Sequence, residues 1–213
     1  MRPTSLSTRL FAALATLVLA VGINGCTTDR QSSAPLPPAS AWKINSDASD
    51  LRFVTTKNTN FAEVQRFTRL DGEISPSGSV KLVIDLASVE TRIPLRNERL
   101  QSMLFEIVKF PTAQFEGVVD MNQLRALEQG ATLDVDVTGK LAIHGQTQEA
   151  AASLRVVRIK GDRLLVTTRA PILVNADKFD MTSGVEKLRE IMGLPNIIGT
   201  VPVSFSLVFQ RLG

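Results

Sequence analysis

Apolar and polar residues alternate along the C-terminal end of this chain, and the same alternation recurs along most of its length. Val201, Val203, Phe205, Leu207 and Phe209 alternate with Pro202, Ser204, Ser206 and Val208. Val80, Leu82, Ile84 and Leu86 alternate with Lys81, Val83 and Asp85, and Leu133, Val135 and Val137 with Asp134 and Asp136. Leu51, Phe53 and Thr55 repeat the pattern more weakly. Successive side chains of a strand point to opposite faces, so this period requires sheets with one buried and one wetted face. Turn signals separate the runs at Ser75-Pro76-Ser77-Gly78, Gln129-Gly130 and Lys160-Gly161-Asp162. The pattern predicts strands over 42–57, 67–75, 79–88, 113–120, 131–144, 149–160, 163–175 and 200–212. Their short connections call for antiparallel pairing.

Two helical insertions interrupt the strands. Leu100, Met103 and Leu104 follow Pro94 at helical spacing, and Phe110-Pro111 returns the chain to extended form. Farther on, Ser183 and Glu186 fit a capping box, with Val185, Leu188 and Met192 as the apolar face and Gly193 and Pro195 as the stop. Antiparallel strands with one apolar face close into a barrel or stack as a sandwich. A barrel of about eight strands either fills itself with side chains or holds one small ligand. Periodicity alone leaves these outcomes open.

The N-terminal residues carry an address. Arg2 and Arg9 precede an apolar run from Leu10 to Val21, which ends in Ile23-Asn24-Gly25-Cys26. The run is too short for a spanning helix, which needs about 20 residues. The order is that of a bacterial lipoprotein signal, with Asn24 the atypical position, and Cys26 is the expected lipidation site. Cys26 is also the only cysteine, so it has no disulfide partner within the chain. The expected organisation is a signal peptide over 1–25, a proline-rich tether over 26–41 and one domain over 42–213. The expected location is the periplasmic face of the cell envelope, lipid-anchored at the outer membrane. The formal charge falls from +3 to +1 once Arg2 and Arg9 leave, with 22 basic residues against 21 acidic. There is no basic cluster with interleaved aromatics, so nucleic acid is not an expected partner.

Several segments resemble the YceI family, whose members are lipid- or polyisoprenoid-binding domains of bacterial envelopes. They are Trp42-Lys43-Ile44-Asn45 with Leu51-Arg52-Phe53, then Ser88-Val89-Glu90-Thr91 with Arg96-Asn97-Glu98-Arg99-Leu100, then Phe110-Pro111-Thr112-Ala113-Gln114-Phe115. Gly139-Lys140-Leu141-Ala142-Ile143-His144-Gly145-Gln146-Thr147 and Phe179-Asp180-Met181 complete the set. The resemblance implies an all-β, lipocalin-like, eight-stranded antiparallel barrel. It also implies an apolar tunnel for a polyisoprenoid, quinone-like or acyl lipid, with a polar head near the mouth. Asn45, Ala48, Arg99 and Asp180 depart from the family pattern.

The expected tunnel-lining residues are Phe53, Leu82, Ile84, Leu104, Phe105, Phe115, Val135, Val203, Phe205 and Leu207. Arg96 and Arg99 are candidate head-group contacts, or else surface arginines paired with Glu98 or Glu106. His144, the only histidine, reads as a residue of a surface turn, and Asp134 and Asp136 read as a solvated face. Asn175, Asp177 and Asp180 lack calcium-loop spacing and read as a capped loop. No metal, cofactor or catalytic residue is expected, since no nucleophile-elbow motif accompanies the single histidine. The leading reading is a membrane-tethered lipid carrier or reservoir. The alternative is an envelope interaction or stress-response module with a filled barrel.

Overall fold

The structure, a computed structural model, describes residues 41–58 and 60–212. The expected signal peptide, Cys26 and all of the tether but residue 41 lie outside the described residues. The elements run β1 (Trp42–Ile44), β2 (Asp50–Lys57), β3 (Phe61–Phe67), β4 (Leu70–Ile74), β5 (Ser79–Asp85), β6 (Val89–Glu90) and α1 (Pro94–Arg99). A π-helical segment, Leu100–Leu104, continues α1. Then come β7 (Thr112–Val118), α2 (Met121–Ala126), β8 (Thr132–Ile143), β9 (Gln146–Ile159), β10 (Arg163–Thr168), β11 (Ile172–Asn175), α3 (Thr182–Ile191) and β12 (Thr200–Arg211).

Antiparallel neighbours follow the order β1, β4, β5, β7, β8, β9, β10, β12, and β12 pairs back to β1, which closes an eight-stranded barrel. The remaining strands lengthen this wall. β2, β3 and β6 continue β1, β4 and β5, and β11 continues β10. β12 holds the seam, pairing with β10 and β11 on one edge and with β1 and β2 on the other. The two chain ends of the domain meet at the lower rim, where Trp42 lies opposite Arg211. At the upper end lie α1, the π-helical segment and α3, which packs against that segment. Gly184 of α3 makes that approach possible, because a Cβ there would fall 2.6 Å from the Met103 carbonyl oxygen.

Serine hydroxyls repair the ladder where staves bend. Residues 46–48 form a 3-10 turn between β1 and β2, and residues 86–88 form another between β5 and β6. The Ser46 hydroxyl accepts from Leu70 N–H at 3.0 Å, and the Ser49 hydroxyl accepts from Val208 N–H at 2.9 Å. The Ser88 hydroxyl accepts from Thr68 and Arg69 N–H at 3.2 and 3.0 Å and donates to the Asp85 carbonyl at 2.6 Å. A buried N–H without a partner is costly, so these hydroxyls offset the ladder bonds lost where the wall bends.

Four expectations change. The strand expected over 67–75 forms as β4, but β3 (Phe61–Phe67) precedes it unexpected, because its exposed apolar residues Phe61 and Val64 hide its period. The strands expected over 42–57 and 163–175 are each broken. A third helix, α2, follows Asp120, whose side chain accepts from Asn122 N–H at 2.8 Å and turns Met121 and Leu124 into the core. The capping box at Ser183 does not form. α3 begins two residues earlier, with Met181 at the N-cap position and no side-chain cap, and Glu186 instead accepts from Arg189 at 2.6 Å. Its stop does form, with Gly193 N–H on the Glu190 carbonyl and Leu194 N–H on that of Arg189, each at 3.0 Å, the pairing of a Schellman motif.

Ser88→Ala takes the acceptor from Arg69 N–H, leaves Thr68 N–H with the Ser88 carbonyl alone, and removes a buried hydroxyl. It is expected to lower unfolding stability by about 1–3 kcal/mol, measured by urea denaturation. An unchanged midpoint would show that water replaces the hydroxyl.

Candidate functional site

The inward side chains line a cavity of about 590 Å³ along the barrel, a size typical of small-molecule sites. Its lower part is walled by the apolar cluster that includes Leu82, Leu164, Leu207 and Phe209, and its upper part by the cluster of Phe53, Leu100, Phe105 and Leu188. Each residue expected to line a tunnel lies on this wall. Val203, Phe205 and Leu207 come from β12, Phe53 from β2, and Leu82 and Ile84 from β5. Phe115 comes from β7, Val135 from β8, and Leu104 and Phe105 from the segment over the upper end. Arg96 and Arg99 also face the cavity, at its upper end.

The wall turns polar toward the helices. Along β2 the cavity-lining positions read Leu51, Phe53, Thr55, Lys57. On the paired strand β3, Phe67 and Gln65 stand opposite Leu51 and Phe53, and Glu63 stands opposite Thr55. Lys57 Nζ donates to Glu63 Oε2 at 2.5 Å, and Arg96 Nη1 donates to the same oxygen at 2.6 Å. Arg96 therefore pairs with Glu63 of β3, not with Glu98 or Glu106 of its own stretch. Burial alone would raise the Glu63 carboxyl, but the hydrogen bonds from Arg96 and Lys57 outweigh it and hold the group below its ordinary value. Gln65 is 4% exposed, and its Nε2 donates to Thr55 Oγ1 at 3.0 Å. Gln65 Oε1 and Arg96 Nε are buried with no partner in the protein. Both side chains line the upper end of the cavity, beside its apolar wall.

Lys57, Glu63 and Gln65 were not expected from sequence. Their signal is the alternation itself. Continuing the inward register of Leu51 and Phe53 reaches Thr55 and Lys57, and only the β2–β3 pairing adds the other two.

Other candidates stand apart from the cavity's polar end. Asp134 and Asp136 are exposed, where Asp134 pairs with Arg155 at 2.8 Å and Asp136 accepts from Ser153 at 2.5 Å. His144 does sit in the β8–β9 turn, but it is not a surface residue. Its side chain is 10% exposed, the ring packs 4.4 Å from that of Phe110, and Nε2 lies 3.9 Å from Glu106 Oε1. Residues Ala176–Phe179 form a 3-10 turn, with Asp180 left-handed after it at φ 54°. Among the described residues, no group of three or more histidine, cysteine, aspartate or glutamate side chains could hold a metal ion.

A family model for the YceI-like domain matches residues 42–209. The chain belongs to the YceI-like domain family. Among solved structures it is similar to a polyisoprenoid binding domain from Saccharophagus degradans implicated in plant cell wall breakdown. That match has 36% identity and a TM-score of 0.78, covering 80% of this chain and 98% of that one. It also shares its fold with BcnA of Burkholderia cenocepacia, at 20% identity and a TM-score of 0.56, covering 78% and 98% of the two chains. Among curated proteins, none matches the chain in sequence.

The structure gives the YceI-like motifs physical roles. Asn97 Oδ1 accepts from both the N–H and the hydroxyl of Thr91, at 2.9 and 2.6 Å, and Arg96 Nη2 donates to the Thr91 carbonyl at 2.8 Å. The Arg96-Asn97 pair thereby anchors α1 to the end of β6 and swings the guanidinium toward Glu63. In the hairpin motif, His144 and Gly145 both have positive φ, the requirement of a type I′ turn.

The lowered Glu63 value has a consequence in acid. A depressed folded value contributes stability that is present above the unfolded value, near pH 4.3, and is lost as pH falls through the folded value. Glu63→Gln should therefore flatten the loss of stability below about pH 4.3, followed by urea denaturation across pH. A variant whose acid slope equals that of the parent would show that the three-residue cluster does not form.

Proposed function

We propose that this protein is an envelope lipoprotein that holds one polyisoprenoid or related amphiphilic lipid inside its barrel, as a carrier or reservoir. The apolar cavity with a polar upper end carries this reading. Its wall suits a hydrocarbon chain, and Lys57, Gln65, Arg96 and Arg99 supply contacts for a polar head. The Saccharophagus degradans relative, described as polyisoprenoid-binding, supports the ligand class. The Ile23-Asn24-Gly25-Cys26 sequence supports anchoring through acyl chains on Cys26. The void of about 590 Å³ supports this reading over the competing one, a scaffold with a filled barrel. The site holds a ligand without transforming it, and no enzymatic activity is proposed.

Binding is tested with the apolar fluorophore N-phenyl-1-naphthylamine. Saturable uptake, displaced by an isoprenoid alcohol, is expected. Val203→Trp, which fills the middle of the cavity, should weaken uptake by about tenfold with the circular dichroism spectrum retained. Equal uptake by parent and variant would place the probe elsewhere and contradict the reading. Anchoring is tested separately. Cys26→Ser should move the protein from the membrane to the soluble fraction, and unchanged membrane association would contradict lipidation.

A further inference from the structure

The barrel wall is incomplete on one side. β7 pairs with β8 only from Gln114↔Ala142 to Gly117↔Gly139. Below that rung, residues 132–138 of β8 pair with β9 alone, while the chain leaves β7 for α2. The last closed rung is made of two glycines, and the Phe115 ring lies over them. A Cβ on Gly139 would fall 2.5 Å from Phe115 Cζ. Immediately below, the cavity lining runs out to residues at the surface. Val118 is 70% exposed, and Gln123, Asp134 and Asp136 are exposed beside it.

The polar groups fitted to a head lie at the opposite, upper end, so the hydrocarbon end of a bound chain points down toward this seam. Straight below, the way is shut. Trp42 is 1% exposed and Leu164 is fully buried, with Met121 and Leu127 packed in the same cluster. A chain that outruns the cavity meets either this plug or the seam. Bare strand edges are commonly covered or charged, and Asp134 and Asp136 stand on this one while its lower rungs have no strand beside them.

We propose that the seam between the β7–α2 connection and β8 is a second, lateral opening through which the far end of a bound chain leaves the barrel. The site then accepts isoprenoid chains longer than the barrel itself, and this inference rests on the binding reading above. Phe115 marks the boundary between the closed wall and the opening, and Val118 and Gln123 form the outer rim.

The test compares farnesol, with three isoprene units, and solanesol, with nine, on the full chain in detergent by native mass spectrometry. Both alcohols should bind the parent. Val118→Trp and Gln123→Trp, made at exposed positions to spare the fold, should weaken solanesol by about tenfold and leave farnesol within about twofold. A parent that takes farnesol and rejects solanesol would overturn the opening, and so would rim variants that bind solanesol as the parent does. A parent that takes neither alcohol would overturn the isoprenoid reading itself, a distinct failure. A photoreactive group on the far end of the long chain supplies an independent readout. Labelled peptides should fall within residues 117–139, whereas labelling confined to α1, α3 or the Leu164 region would contradict the route.

Discussion

The pairing of β12 along both of its edges is the constraint on which the molecule depends. One edge is bonded to β10 and β11 and the other to β1 and β2. This closure leaves β12 without a free edge and fixes its inward set, Val201, Val203, Phe205, Leu207 and Phe209, against the cavity. A slip of one residue would turn those five outward and bring Ser204 and Ser206 in. Residues Trp42–Ile44 and Phe209–Arg211 pair at this closure, so both are structural members of the wall.

Closure also explains how polar and apolar chemistry come to share one interior. Eight staves leave a lumen that side chains of ordinary size do not fill here. Apolar residues line most of it, and the stave ends beneath α1 carry the charges. Lys57 and Arg96 are held by a single carboxylate, Glu63, so the local excess is one positive charge before Arg99 is counted. Withdrawing charges even partly from water is costly unless they are paired. Gln65 Oε1 and Arg96 Nε have no partner in the protein. Burying hydrocarbon is worth about 0.8 kcal/mol per methylene against water. Against a bilayer, where the chain is already dry, the preference is small, which favours reversible exchange.

Much of this was legible in the chain. Strict alternation located most staves, and inward positions such as Leu82, Val135 and Phe205 could be named from it. It failed where tertiary pairing overrides local pattern. β3 presents Phe61 and Val64 to solvent, so its period gives no clean core face, and its buried Gln65 looks like a surface residue. The partner of Arg96 lies 33 residues away, beyond any helical spacing rule. The capping box at Ser183 shows the opposite error, a valid local signal that packing against the π-helical segment set aside. Whether the barrel was open or filled could not follow from period two, because both outcomes use the same inward residues. The lateral seam was hidden too, since it arises from β7 stopping at Val118 while β8 runs on.

The central claim is that this lumen holds a lipid. Native mass spectrometry of the full chain, purified in mild detergent, tests it most directly. The account predicts a mass above that of the denatured, extracted protein by one lipid, lost on solvent extraction and recovered as a single hydrocarbon-rich amphiphile. A native mass equal to that of the extracted protein, with no saturable uptake of an added isoprenoid alcohol, would contradict it.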